Sequence, residues 1–112
     1  MEAPASQRRE GRSVKIAHDV KFIEADYKAR KLIRIRAEII GDEILSVQIR
    51  GDFFAIPKEA ISVLEEMLIG VKLEEKFILE TVEKFYEETG AQVPGIDPQD
   101  FNEAIMKARM IV

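Results

Sequence analysis

The chain has 112 residues, 46% hydrophobic and 34% charged, with 17 basic and 21 acidic side chains and a formal net charge of −4. That length suits one domain; the absence of cysteine excludes disulfides, thiolate metal sites and cysteine nucleophiles, and a single histidine, His18, argues against a zinc site or a self-contained Ser-His-Asp triad. No apolar run approaches the ~18 residues of a membrane span and the first residues lack a secretory core, so a soluble, cytoplasmic protein is expected.

Residues 1–13 hold Pro, Gly and two Ser, with no large apolar side chain after Met1. Such a composition does not repay the entropy of ordering, and a flexible tail is expected ahead of one domain over 14–112. A first short strand is expected at 20–24, around Val20, Phe22 and Ile23. Period-two alternation then sets in. Ile33, Ile35, Ala37 and Ile39 interleave with Arg34, Arg36 and Glu38, and Leu45, Val47 and Ile49 with Ser46, Gln48 and Arg50. Both runs are half-buried strands, so 32–40 and 44–50 form a hairpin. A three-residue loop, Gly41-Asp42-Glu43, pairs Ile39 with Leu45, Ala37 with Val47 and Ile35 with Ile49. A two-residue turn would pair Ile35 with Gln48 and mix the faces, so three residues are expected.

At Pro57 the period becomes helical. Ala60, Ile61, Leu64, Met67 and Leu68 share a face of a helix over 58–69, which Gly70 ends. A second helix over 74–89 buries Ile78, Val82 and Phe85 and stops at Gly90. A third, over 98–110, opens at Asp97-Pro98 and turns Phe101, Ala104, Ile105, Ala108 and Val112 inward. Strands first and helices after define an α+β fold: a small antiparallel sheet with a β-hairpin, packed against about three helices.

The adjacent carboxylates Glu65/Glu66, Glu74/Glu75 and Glu87/Glu88 diverge by roughly 100° on a helix and read as solvated faces rather than acid–base pairs. His18 has no companion ligand and reads as a surface histidine. Two segments stand out. Residues 27–36 hold five cations and no acid, and Lys28, Arg30, Arg34 and Arg36 share parity. On one extended strand they form either a charge-protected edge or a strip for a phosphate, an acidic protein or RNA. The acidic second half, −6 over 58–112 against +2 over 1–57, argues against general nucleic-acid binding. The second segment is Gly51-Asp52-Phe53-Phe54, a polar corner beside two rings that point opposite ways. One ring faces the core, and the other needs a helix over it or a partner.

Lys28-Ala29-Arg30-Lys31-Leu32-Ile33-Arg34, then Gly51-Asp52-Phe53-Phe54, Pro57 and Leu64-Glu65-Glu66-Met67-Leu68-Ile69-Gly70, resemble the C-terminal accessory domain of lipoate–protein ligases. Pro94-Gly95-Ile96-Asp97-Pro98-Gln99-Asp100-Phe101 and Ala104-Ile105 continue the pattern, which runs in order over about 20–110. The family often carries Gly or Pro between the two lysines, where this chain has Ala29-Arg30. The resemblance implies the small subunit of a two-chain, archaeal-type ligase. Such a subunit is not catalytic alone and binds no cofactor or metal by itself. With a large catalytic subunit it takes part in ATP- and Mg-dependent activation of lipoate to lipoyl-adenylate. The lipoyl group then passes to lysines of acceptors, the lipoyl domains of 2-oxoacid dehydrogenases and the glycine cleavage H protein. Lys28 and Lys31 are the candidates to approach the phosphates or the partner, and Gly51, Asp52 and Phe53 are candidates for a docking corner. The alternative is a non-catalytic protein- or RNA-binding module working through the basic strand 27–36.

Overall fold

The computed structural model describes residues 20–111. The expected tail at 1–13, His18 and Val112 lie outside that range. Three strands, β1 (Val20–Lys28), β2 (Leu32–Ile40) and β3 (Glu43–Gly51), form an antiparallel sheet in the order β1-β2-β3. Three helices follow, α1 (Ala60–Leu68), α2 (Glu75–Thr89) and α3 (Pro98–Ile111). The α+β architecture is therefore as the alternation implies. Ile23 and Ala25 of β1, Ile33, Ile35, Ala37 and Ile39 of β2, and Ile44, Val47 and Ile49 of β3 form the buried face. α3 lies across β1 and β2, α1 lies on β3, and α2 packs against both helices. Leu64 and Leu68 of α1, Ile78, Val82 and Phe85 of α2, and Phe101, Ala104, Ile105 and Ala108 of α3 close the core. α1 matches its apolar stripe and is shorter than the expected 58–69, beginning at Ala60 after a turn in which the Ala60 N–H donates to the Pro57 carbonyl at 3.0 Å.

The hairpin reaches one-sided burial by a different route from the expected loop. Ile35 pairs with Ile49 and Ala37 with Val47, as alternation requires, but Ile39 pairs with Ile44 and Ile40 with Glu43. The connection is the two-residue turn Gly41-Asp42, with Gly41 at φ +62°, a conformation that glycine adopts without steric cost. The extra residue sits in β3 as a bulge. Leu45 is turned outward and Ile44 takes the core position. A bulge corrects parity as well as a longer loop does.

The first strand is also longer than expected, and the cationic run 27–36 is not one strand. Lys28 closes β1, Leu32 opens β2 opposite it, and Ala29, Arg30 and Lys31 form the reversal between them. Arg34 faces Asp26 at 3.2 Å and Arg36 faces Glu24 at 3.3 Å, so cross-strand carboxylates occupy two of the five cations.

Glu65 departs from the solvated-face reading, whereas Glu66 beside it is exposed as expected. The Glu65 carboxylate accepts the Ile49 N–H at 2.8 Å and an Arg50 guanidinium N–H at 3.1 Å. Farther along the same edge the Ile44 N–H donates to Val71, and the Gly70 N–H donates to the Ile44 carbonyl. The outer edge of β3 is thus covered, as an edge strand must be to avoid pairing with another chain.

Candidate functional site at the turn end of the sheet

Three segments far apart in sequence meet at one end of the sheet. The first is the β1–β2 reversal bearing Lys28 and Lys31. Its β1 side is anchored to α3, where the Tyr27 hydroxyl donates to Glu103 at 2.8 Å and the Lys107 ammonium donates to the Asp26 carbonyl at 2.6 Å. Gln99 donates to the other Glu103 oxygen at 3.2 Å. The hydrogen bonds from Tyr27 and Gln99 hold the Glu103 carboxyl below the ordinary glutamate value. The bond to Glu103, with burial second, pushes the Tyr27 phenol up. Across the reversal itself the Ala29 N–H donates to the Lys31 carbonyl at 3.1 Å.

The second segment is the corner that leaves β3. Asp52 grips both backbone groups of Leu32: its carboxylate accepts the Leu32 N–H at 2.6 Å, and its own N–H donates to the Leu32 carbonyl at 3.3 Å. Glycine is required just before it. A Cβ on Gly51 would collide with the Leu32 carbonyl oxygen and come within 2.7 Å of the Phe53 ring. Phe53 is the ring that turns inward, edge-on to Phe101 with centroids 5.8 Å apart. Phe54 is 61% exposed, with no helix over it. The segment is fastened again at Ile56, whose N–H and carbonyl exchange bonds with Gln92 at 2.8 and 2.9 Å.

The third segment is the α2–α3 linker. Gly95, at φ +85°, lies under the stem of Lys31: a Cβ there would stand 3.2 Å from Lys31 Cγ, 3.5 Å from Cε and 3.9 Å from Cδ. Asp97, two residues further on, faces the Arg30 guanidinium at 3.8 Å. Lys28, Lys31, Gly51, Asp52 and Phe53 therefore belong to one locality. Gly95, Tyr27 and Glu103 join them without having been singled out from sequence; the Pro94-Gly95 dipeptide is the one local signal that marks any of these. Among the described residues neither Lys28 nor Lys31 has an ion-pair partner within 4 Å, and no cluster of acidic or histidine side chains suits a metal ion. No helix among them is long and apolar enough to cross a membrane. The locality offers exposed ammonium groups on a braced backbone, with no nucleophile–base pair.

A family model described as the bacterial lipoate protein ligase C-terminus matches residues 32–105. The chain belongs to the lipoate–protein ligase C-terminal domain family. Gly51, Asp52, Phe53 and Gly95 fall inside the matched stretch, and Lys28 and Lys31 stand immediately ahead of it. One relative, lipoate-protein ligase A subunit 2 of Thermoplasma acidophilum, is 38% identical over 81 residues, which span 71% of this chain and 83% of that protein. A solved archaeal lipoylation system from the same organism, described as a bipartite lipoate protein ligase and its E2 lipoyl domain, includes a chain that superposes with a TM-score of 0.70 at 34% identity. The superposition covers 77% of this chain and 96% of the other. The family match thus spans β2, β3, the Gly51–Phe53 corner, α1, α2 and α3 as far as Ile105.

Proposed function

We propose that the chain is the accessory subunit of a two-chain lipoate–protein ligase, needed when a large catalytic subunit activates lipoate. The reading is supported by the relative named as subunit 2 of such a ligase and by the likeness to a chain from a bipartite ligase system. In the reaction the lipoate carboxylate attacks the α-phosphorus of ATP, lipoyl-adenylate forms and pyrophosphate leaves, with ATP and magnesium as substrates of the complex. The lipoyl group then passes to acceptor-protein lysines, in 2-oxoacid dehydrogenase lipoyl domains or the glycine cleavage H protein. A cytoplasmic location is part of this reading, and the use of ATP and of protein acceptors is compatible with it.

The observation that carries the role of this chain is a backbone braced at the turn end of the sheet that bears two exposed lysines, Lys28 and Lys31. Negative charge builds on the phosphates as adenylation proceeds, and cations held in place beforehand stabilise it most where water is excluded. Docking of this domain over the large subunit's nucleotide site would exclude that water and add Lys28 and Lys31 to its wall. The RNA-binding alternative is weaker, because Arg34 and Arg36 already face Asp26 and Glu24 and the run 27–36 bends at its middle.

Charge reversal tests the assignment. Lys28→Glu with Lys31→Glu is expected to slow pyrophosphate release by the two-chain complex while the subunits still associate and the domain stays folded. Weakened association, strongest at low salt and rescued by excess of this chain, would give the lysines a docking role instead. Unchanged release and unchanged association would remove them from the site.

A further inference from the structure

Lys31 is an exposed, flexible side chain, yet its stem is not free to lie anywhere. Its Cγ, Cδ and Cε pass within 3.2–3.9 Å of the point where a Cβ on Gly95 would stand. The residue after it, Leu32, has both backbone groups held by Asp52. The reversal carrying Lys31 lacks a glycine of its own, and the clearance it needs comes from a glycine 64 positions later in the chain. Two distant segments thus set the base and the course of one side chain: Asp52 holds the backbone and Gly95 provides the track.

We propose that Gly95 and Asp52 are positioning residues for Lys31, with the bare α-carbon of Gly95 serving as the track along which the lysine stem reaches the reacting phosphates. The inference rests on the ligase reading above, and deepens it by assigning what aims the cation. Adding a methyl group at 95 lifts the stem by a few tenths of an ångström, because 3.2 Å to Cγ is closer than a Cβ ordinarily comes to a neighbour. Misplacement of a catalytic cation by about 1 Å can cost on the order of a hundredfold in rate, so a shift of a few tenths is expected to cost severalfold, up to about tenfold.

The test is a double-mutant cycle on pyrophosphate release by the complex with the large subunit, using Gly95→Ala, Lys31→Ala and the two together. Lys31→Ala removes the stem that the new methyl group would touch. The expected result is that Gly95→Ala lowers turnover severalfold, up to about tenfold, with native Lys31 and has no further effect once Lys31 is alanine, the coupling expected of two groups in contact. Subunit association is expected to be the same for all variants, so the loss falls on turnover. Because Gly95 sits at φ +85°, alanine there also strains the backbone. Gly95→Asn supplies a second variant, since asparagine tolerates the left-handed region but still adds a Cβ. It is expected to keep the melting temperature nearer to native while reproducing the turnover loss. Equal losses from Gly95→Ala in both lysine backgrounds would overturn the positioning role and leave the ligase reading standing. No effect of Lys31→Ala on turnover would overturn both this inference and the placement of Lys31 at the phosphates.

Discussion

Replacing Glu65 with alanine removes one carboxylate from two partners of unequal worth. The Ile49 N–H lies on the outer edge of β3 and donates to Glu65 Oε2 at 2.8 Å. A hydrogen bond to a charged group contributes about 1.5–3 kcal/mol, and a half-buried donor left without its acceptor forfeits most of that. The ion pair with Arg50, at 3.1 Å, adds little, because the Arg50 side chain is 65% exposed, and exposed pairs contribute at most about 1 kcal/mol. The expected cost of Glu65→Ala is therefore about 2 kcal/mol, a fall of roughly 8–16 °C in melting temperature for a domain of this size. Glu65→Gln keeps an acceptor oxygen and is expected to lose only about half as much. Urea unfolding of Glu65→Ala, Arg50→Ala and the double variant separates the two contributions. Hydrogen exchange at the Ile49 amide reports the backbone bond directly. A loss below about 0.5 kcal/mol, or disappearance of the whole effect in the Arg50→Ala background, would refute the edge-capping role and return Glu65 to the solvated face.

Leu64→Ala is expected to cost about 2–5 kcal/mol in a denaturant melt, because Leu64 is wholly buried beneath the sheet, whereas Val63→Ala beside it on α1 should cost under about 1 kcal/mol. Tyr86→Phe is expected to leave stability unchanged or raise it by about 1 kcal/mol, since the buried Tyr86 hydroxyl has no partner among the described residues. Burial pushes the Tyr86 phenol up to about 12, so its contribution is fully present below the ordinary phenol value near 10 and is lost as pH rises from there through about 12. The wild-type protein should lose stability more steeply over that window than Tyr86→Phe in pH-dependent melts.

How much of this was legible in the sequence depended on whether the deciding contact was local. The buried face of β2 is plain from Ile33, Ile35, Ala37 and Ile39, and the inward stripes of α2 and α3 follow from spacing alone. Alternation cannot choose between Ile44 and Leu45, two adjacent apolar residues, so the bulge that buries one and exposes the other is invisible to it. The turn at 29–31 has no glycine, proline or asparagine to announce it. It is secured by Asp52 on Leu32 and by the clearance over Gly95, both distant in the chain. Glu65 has the same neighbours in sequence as any solvated helical glutamate; what distinguishes it is the unpaired β3 edge beneath it. Within the site, Lys28, Lys31, Gly51, Asp52 and Phe53 were marked by composition and family pattern, and the fold brings them to one end of the sheet. Their support from Tyr27, Glu103 and Gly95 required the packing of α3 and its linker against that end.

The most direct measurement is pyrophosphate release from lipoate and ATP by three samples: this chain alone, its large subunit alone, and the two mixed. The account predicts release only in the mixture, together with lipoyl transfer from preformed lipoyl-adenylate by the large subunit unaided. Release by the isolated chain, or none by the mixture, would contradict it.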